Sequence, residues 1–155
     1  MKQLSIELLV GGTMLALALS GAAQERKVER SALPPAVEKT VQAQSQGATI
    51  KGFATEREKG KKVYEVEMVV DGHTKDIQIA MDGSLNEIEE EISFDALPPA
   101  VQSALTAKAA GAKIVKVESL TKKNKLLAYE ASTQRGTKKG EIQVGADGGK
   151  LAHEE

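Results

Sequence analysis

Chemistry in this chain would have to come from carboxylates and two imidazoles, because the sequence of 155 residues holds two His and no Cys. His73 stands between Asp71 and Asp76, a trio that could form a small metal site. One imidazole beside a turn falls short of the roughly three or four converging ligands that a tight transition-metal site uses, so His73 reads as a solvated loop residue. His153 lies in the terminal tail. Glu87, Glu89, Glu90 and Glu91 are dense enough to attract a hard cation but lack the Asp/Asn and Gly spacing of a calcium loop. They read as a solvated strand edge or linker. No HExxH, no GxSxG and no phosphate-cradling glycine loop occurs. The sequence therefore predicts no catalytic residue, no metal and no cofactor, and a protein that is not an enzyme.

What must position any binding residue is a core without large anchors. The chain has no Trp, two Tyr and two Phe, so its interior is built from Val, Ile, Leu, Ala and Met. Formal net charge is -1, which gives no attraction to nucleic acid or to an anionic membrane. The charge is unevenly divided: residues 30–92 carry eight basic and twelve acidic side chains, residues 93–155 ten and seven. Halves of opposite sign complement each other and can steer mutual docking or self-association.

Residues 1–23 read as a cleavable secretory signal. Lys2 precedes an apolar run from Leu8 to Leu19, followed by Ser20, Gly21, Ala22 and Ala23, with cleavage expected after Ala22 or Ala23. An uncleaved anchor is the alternative, but the run is shorter than the roughly 20 apolar residues that span a bilayer. The expectation is an exported protein, periplasmic or secreted, with no stable membrane insertion after cleavage and a short tail at 24–30.

The rest is a duplication. Ala32-Leu33-Pro34-Pro35-Ala36-Val37 recurs letter for letter as Ala96-Leu97-Pro98-Pro99-Ala100-Val101, and the same offset pairs Gly47-Ala48 with Gly111-Ala112 and Ile50 with Ile114. After one inserted residue, Tyr64-Glu65 pairs with Tyr129-Glu130, Ile77-Gln78 with Ile142-Gln143, and Asp82-Gly83 with Asp147-Gly148. Two units are expected, 31–94 and 95–155.

Each unit opens with a helix. Consecutive prolines hold the preceding residue out of the α region, so the first helix starts near Pro35. Leu33, Val37 and Val41, like Leu97, Val101 and Leu105, recur at helical spacing as one buried stripe. Gly47 and Gly111 stand where a left-handed cap belongs. Three or four strands follow. Tyr64, Val66, Met68 and Val70 alternate with Glu65 and Glu67; Asp71-Gly72 supplies hairpin chemistry; Ile77 to Met81 alternates again. Ile50 and Phe53, and Ile114 and Val117, stand three apart, the mark of a bulge. Asn86 to Glu91 reads as a last strand running into the connection. The predicted class is α+β: two tandem repeats, each a helix packed on a three- to four-stranded antiparallel sheet.

This order of LPPAV, helix, Gly-Ala-x-Ile, Tyr-Glu and closing Asp-Gly, twice over, resembles the PepSY-like, β-lactamase-inhibitor-like domain family. The resemblance implies an exported protein that pairs a helix with a four-stranded sheet and works by binding other proteins, such as peptidases or other envelope enzymes. This chain differs from a tight tandem inhibitor in lacking disulfides and Trp.

Alternation leaves Glu65, Glu67 and Gln78 on the open face of the first unit, and Glu130, Ser132 and Gln143 on that of the second. These six are the candidate partner-binding residues. The predicted function is an exported, non-catalytic protein-binding module, an inhibitor or modulator of an envelope or secreted enzyme, with a protein partner and no nucleic acid. The alternative is an envelope scaffold acting by self-association or contact with an anionic polymer, for which Lys59, Lys61, Lys62, Lys122, Lys123 and Lys125 would supply the cations.

Overall fold

A computed structural model describes residues 25–152. The expected signal segment and His153 lie outside the described residues.

The chain runs β1 (Arg26–Lys27), α1 (Pro35–Gln44), β2 (Thr49–Glu58), β3 (Lys61–Val70), β4 (His73–Ala80), β5 (Leu85–Glu91), α2 (Pro99–Ala109), β6 (Lys113–Lys122), β7 (Lys125–Arg135) and β8 (Lys138–Gly145). Single 3-10 turns at Arg30–Ala32 and Phe94–Ala96 lead into the two Leu-Pro-Pro entries. Both helices begin at the second proline, whose missing N–H falls where no intrahelical partner exists.

The expectation of two helix-on-sheet repeats, each with its own sheet, is overturned. Among the described residues, all eight strands form one antiparallel sheet in chain order, with only two α-helices. The reason lies at β5. A strand at the end of a four-stranded unit would leave a row of backbone N–H and C=O groups unpaired. Here β6 completes that row, with Glu87 opposite Lys122, Glu89 opposite Leu120 and Glu91 opposite Glu118. Backbone bonds from Ile92 to Val117 O (2.9 Å) and from Lys123 to Asn86 O (3.1 Å) extend the seam at both ends. Lys122 Nζ stands 3.1 Å from Glu87, so the opposite charges of the halves meet at this joint. The acidic stretch is thus an interior strand rather than a solvated edge or linker.

Within that single sheet the duplication persists as two cores on one face. Under α1, Val37 and Val41 pack with Tyr64, Val66, Met68, Ile77 and Ile79; under α2, Val101 and Leu105 pack with Val117, Tyr129, Ala131 and Val144. Val37, Val41, Val101 and Leu105 are each 0% exposed. The expected bulges lie where the three-residue spacing put them: register shifts between Ile50 and Gly52 and between Ile114 and Lys116.

The repeated Asp-Gly pairs have a packing cause. A Cβ on Gly83 would meet the Ala36 carbonyl oxygen at 2.6 Å, and one on Gly148 would meet that of Ala100 at 2.8 Å. Both glycines have positive φ, 86° and 82°, which a side chain disfavours. Asp82 and Asp147 hold the turns by accepting from the backbone N–H two residues on, at 2.9 and 2.8 Å. Thr40 donates to the Gly83 carbonyl at 2.6 Å, tying α1 to the turn after β4.

Candidate functional site

The face away from the helices carries no covering layer among the described residues. Cross-strand partners in an antiparallel pair share a face, so the register settles which side chains stand there. Reading outward from Glu65, it places Gln78 and Glu87 in one row with Lys122, and Glu67, Asp76 and Glu89 in the next with Leu120. Across the second half, Glu118, Glu130 and Gln143 form a row, as do Lys116, Ser132 and Glu141. All six residues proposed from alternation therefore lie on one face of one sheet. Glu65 and Gln78 sit side by side, as do Glu130 and Gln143, but the two sets are separated by β5 and β6.

The dominant feature was not among those six. By register the face holds eleven carboxylates, Glu56, Glu58, Glu65, Glu67, Asp76, Glu87, Glu89, Glu91, Glu118, Glu130 and Glu141, with Lys116 and Lys122 between them. Lys27, Lys61, Lys113, Lys125 and Lys139 stand at its rim, exposed. Both inner lysines are ion-paired, Lys116 with Glu118 at 2.6 Å and Lys122 with Glu87. At the seam, Asp76, Glu89 and Glu118, from three neighbouring strands, each bring an oxygen within 4.8 Å of the others. Those carboxylates could hold a hard cation, which takes several oxygen ligands. His73 has no part in the cluster.

Short and apolar side chains on the face are sheltered. Val63, Leu120 and Ala128 belong to it by register yet are 3%, 3% and 0% exposed, and Glu118 is 9% exposed. With no layer over them among the described residues, these side chains are sheltered by the long ones beside them. The same crowding drives water from the carboxylates, which disfavours their charged form. Burial, with Glu56 and Glu25 nearby, pushes Glu65 up to about 8. Burial, with Glu87, Glu118 and Glu130 around it, pushes Glu89 up to about 9. Glu141 rises to about 8 through burial and a hydrogen bond to Glu130. Asp76 rises to about 6 through burial, with Lys116 opposing the shift. Glu91 alone moves down, because the Thr74 backbone N–H donates to it at 2.9 Å.

Hydrogen bonds order the rest. Gln78 donates to Glu56 at 3.1 Å and accepts from Asn86 at 3.3 Å; Gln143 donates to Glu130. Glu67 is exposed, whereas Glu65, Gln78, Glu130 and Ser132 are half-buried and Gln143 is buried. The sequence reading weighed Asp76 beside His73 and Glu89 within the acidic run, but did not bring them together with Glu118, because their convergence depends on β5 pairing with β6.

The sequence profile described as "Putative beta-lactamase-inhibitor-like, PepSY-like" matches residues 21–86 and again 62–142. The chain belongs to this PepSY-like family. Among solved structures, a BLIP-like protein from Bacteroides fragilis is 23% identical with a TM-score of 0.58, the match covering 77% of this chain and 83% of that one. A protein titled a putative periplasmic protein, from Bacteroides eggerthii, is 17% identical with a TM-score of 0.63, covering 77% and 86%. At such identities these neighbours establish the fold. No curated protein matches the chain. Among the described residues, no helix of this PepSY-like chain is long and apolar enough to cross a membrane.

Proposed function

We propose that this PepSY-like chain is an exported, non-catalytic protein-binding module that docks its partner on the uncovered sheet face and inhibits or modulates an envelope or secreted enzyme such as a peptidase. Contacts come from Glu65, Glu67, Gln78, Glu130, Ser132 and Gln143. The observation that carries this reading is a continuous, uncovered face with eleven carboxylates and seven lysines by register, five of the lysines at its rim, held by a sheet whose other face supplies both cores. Carboxylates pushed out of their ordinary range cost folding stability, the kind of cost that functional surfaces carry. Strands of seven to eleven residues in β2 to β8 make the face about 30 Å by 25 Å at the usual spacings, close to the roughly 800 Å² per partner of a specific interface. The BLIP-like neighbour supports binding to protein, and the neighbour described as periplasmic supports export. The face's acidity argues against contact with an anionic polymer.

The test uses the mature chain, from Gln24 onward, as bait for an envelope fraction, beside the Glu67→Lys, Glu130→Lys variant. Capture of one protein that drops at least tenfold in the variant, with an unchanged circular dichroism spectrum, is expected. Equal capture by both baits would move the binding surface elsewhere.

A further inference from the structure

We propose that this chain forms a two-fold dimer in which the outer edge of β8 pairs antiparallel with β8 of a second copy, Lys139 of each standing opposite Glu141 of the other. The edge is a different surface from the docking face, and pairing there leaves that face open.

β8 is the last strand of the sheet among the described residues. Backbone groups along an edge strand point inward and outward at alternate residues, and the end of β8 fixes which do which. The Gly145 amide donates to the Gly149 carbonyl at 2.8 Å, the Gly145 carbonyl accepts from Gly148 at 2.8 Å, and the Gln143 carbonyl accepts from the Lys108 ammonium at 2.9 Å. By the same alternation the N–H and C=O groups of Glu141 and Lys139 point outward, where no strand of the described residues meets them. Residues 146–152, past the closing turn, form no strand beside this edge.

The first unit shows the same edge in use. β4 corresponds to β8, its Ala80 amide donating to the Ser84 carbonyl at 2.9 Å as that of Gly145 does to Gly149. There β5 covers the edge, with Gln78 opposite Glu87 and Asp76 opposite Glu89, and Ile77 is 2% exposed. Its counterpart Ile142 stays half-buried, as does Glu141. An edge left in this condition is a template for a further strand.

Charge chooses the occupant and the register. In a two-fold antiparallel pair, outward-pointing residues of one β8 meet outward-pointing residues of the other. Lys139 opposite Lys139, or Glu141 opposite Glu141, sets like charges together and destabilises the pair. Glu141 opposite Gln143 would bring Lys139 against Gly145, whose backbone groups the turn already holds. Lys139 opposite Glu141 joins unlike charges, twice over by symmetry, and puts Gly140, which has no side chain, against Gly140 on the axis. Each Lys139–Glu141 pair also exchanges two backbone hydrogen bonds. On the helix side the stem of Lys138 then lies beside Ile142. Glu141 is raised to about 8 by burial and by its hydrogen bond to Glu130, and the ammonium of the second copy favours its ionised form.

A single strand edge buries less than the roughly 800 Å² per partner of a stable interface, so the dimer is reversible, with a Kd on the order of 10–100 µM. Sedimentation equilibrium of the mature chain at pH 8.5 and low salt, from about 2 to 500 µM, should show a monomer passing to a dimer and stopping there, because a two-fold contact closes. Lys139→Glu and Glu141→Lys should each weaken association at least tenfold. Their equimolar mixture should form a heterodimer as tight as the parent, since each copy supplies the charge the other lacks, and the doubly reversed Lys139→Glu, Glu141→Lys chain should dimerise again. Lys39→Glu, an equal charge change at an exposed position on α1, should associate as the parent does. Amide exchange at Lys139 and Glu141 should slow as concentration rises, while that of Gly140, which faces β7, stays constant. A chain still monomeric at the highest concentration, a single reversal that associates like the parent, or folded reversals that form no heterodimer would overturn the inference. So would growth beyond the dimer, or protection of both outward amides that does not change with concentration, the sign that another part of the same chain lies on the edge.

Discussion

Replacing Glu89 with Gln should stabilise the protein, and only where the parent pays for the carboxyl. In the fold Glu89 titrates at about 9 against an ordinary 4.5, chiefly through burial and then through Glu87 and Glu118. A carboxyl with a raised folded pKa contributes its stability below the unfolded value and loses it as pH rises through the folded value. At pH 7.5 the unfolded chain has ionised this group and the fold has not, a gap of about three units, or a ceiling of about 4 kcal/mol at 1.36 kcal/mol per unit. Solvent access along an uncovered face, and relaxation among the neighbouring carboxyls, bring the net gain to about 1–2 kcal/mol. Gln keeps the size of the side chain and carries no charge. Urea unfolding at pH 4, 7.5 and 9 measures it: no difference is expected at pH 4, a midpoint raised by roughly 0.5–1 M at pH 7.5, for a slope of about 2 kcal/mol/M, and a larger gap at pH 9. A variant less stable than the parent at pH 7.5, or a difference constant in pH, would refute the reasoning that the face is crowded and desolvated.

Leu105→Ala opens a cavity at a fully buried site under α2 and should cost about 2–5 kcal/mol, seen as a lower urea midpoint with an unchanged slope. Gly148→Ala should cost more than Gly60→Ala, since both sit at positive φ but a Cβ on Gly148 meets the Ala100 carbonyl at 2.8 Å while one on Gly60 meets nothing within 4 Å; paired thermal melts compare them. Shortening Ile88, which packs on the first core from β5, to Ala should loosen the strand that joins the halves, read as faster hydrogen exchange at Lys123 and Ile92, whose amides bond across the seam. N-terminal sequencing of the exported protein should begin at Ala23 or Gln24.

Local signals carried the helix starts, the buried stripes and the Asp71-Gly72 hairpin, but not the single sheet. The Leu-Pro-Pro entries set both helix starts, the stripes through Val41 and Leu105 set the buried faces, and Asp71-Gly72 closes its hairpin with φ of 50° and 88°. The union of the two halves was not legible, because the alternation within Leu85–Glu91 says which residues share a face and nothing about which strand lies alongside. Glu89 and Glu118 are 29 positions apart in sequence and meet only through that pairing. Glu65 and Glu130 were legible as outward-facing, since their neighbours Tyr64 and Tyr129 are buried. Their crowding was not, for it arises from side chains on adjacent strands.

The central claim is that a protein partner covers the sheet face opposite the helices. The chain has no Cys, so a single thiol placed at Ser132 on that face, or at Ser103 on the exposed side of α2, reports coverage through its rate of reaction with a bulky maleimide. With the captured partner at saturation, the account predicts at least tenfold slower labelling at position 132 and an unchanged rate at 103. Protection at 103 with free reaction at 132 would contradict it.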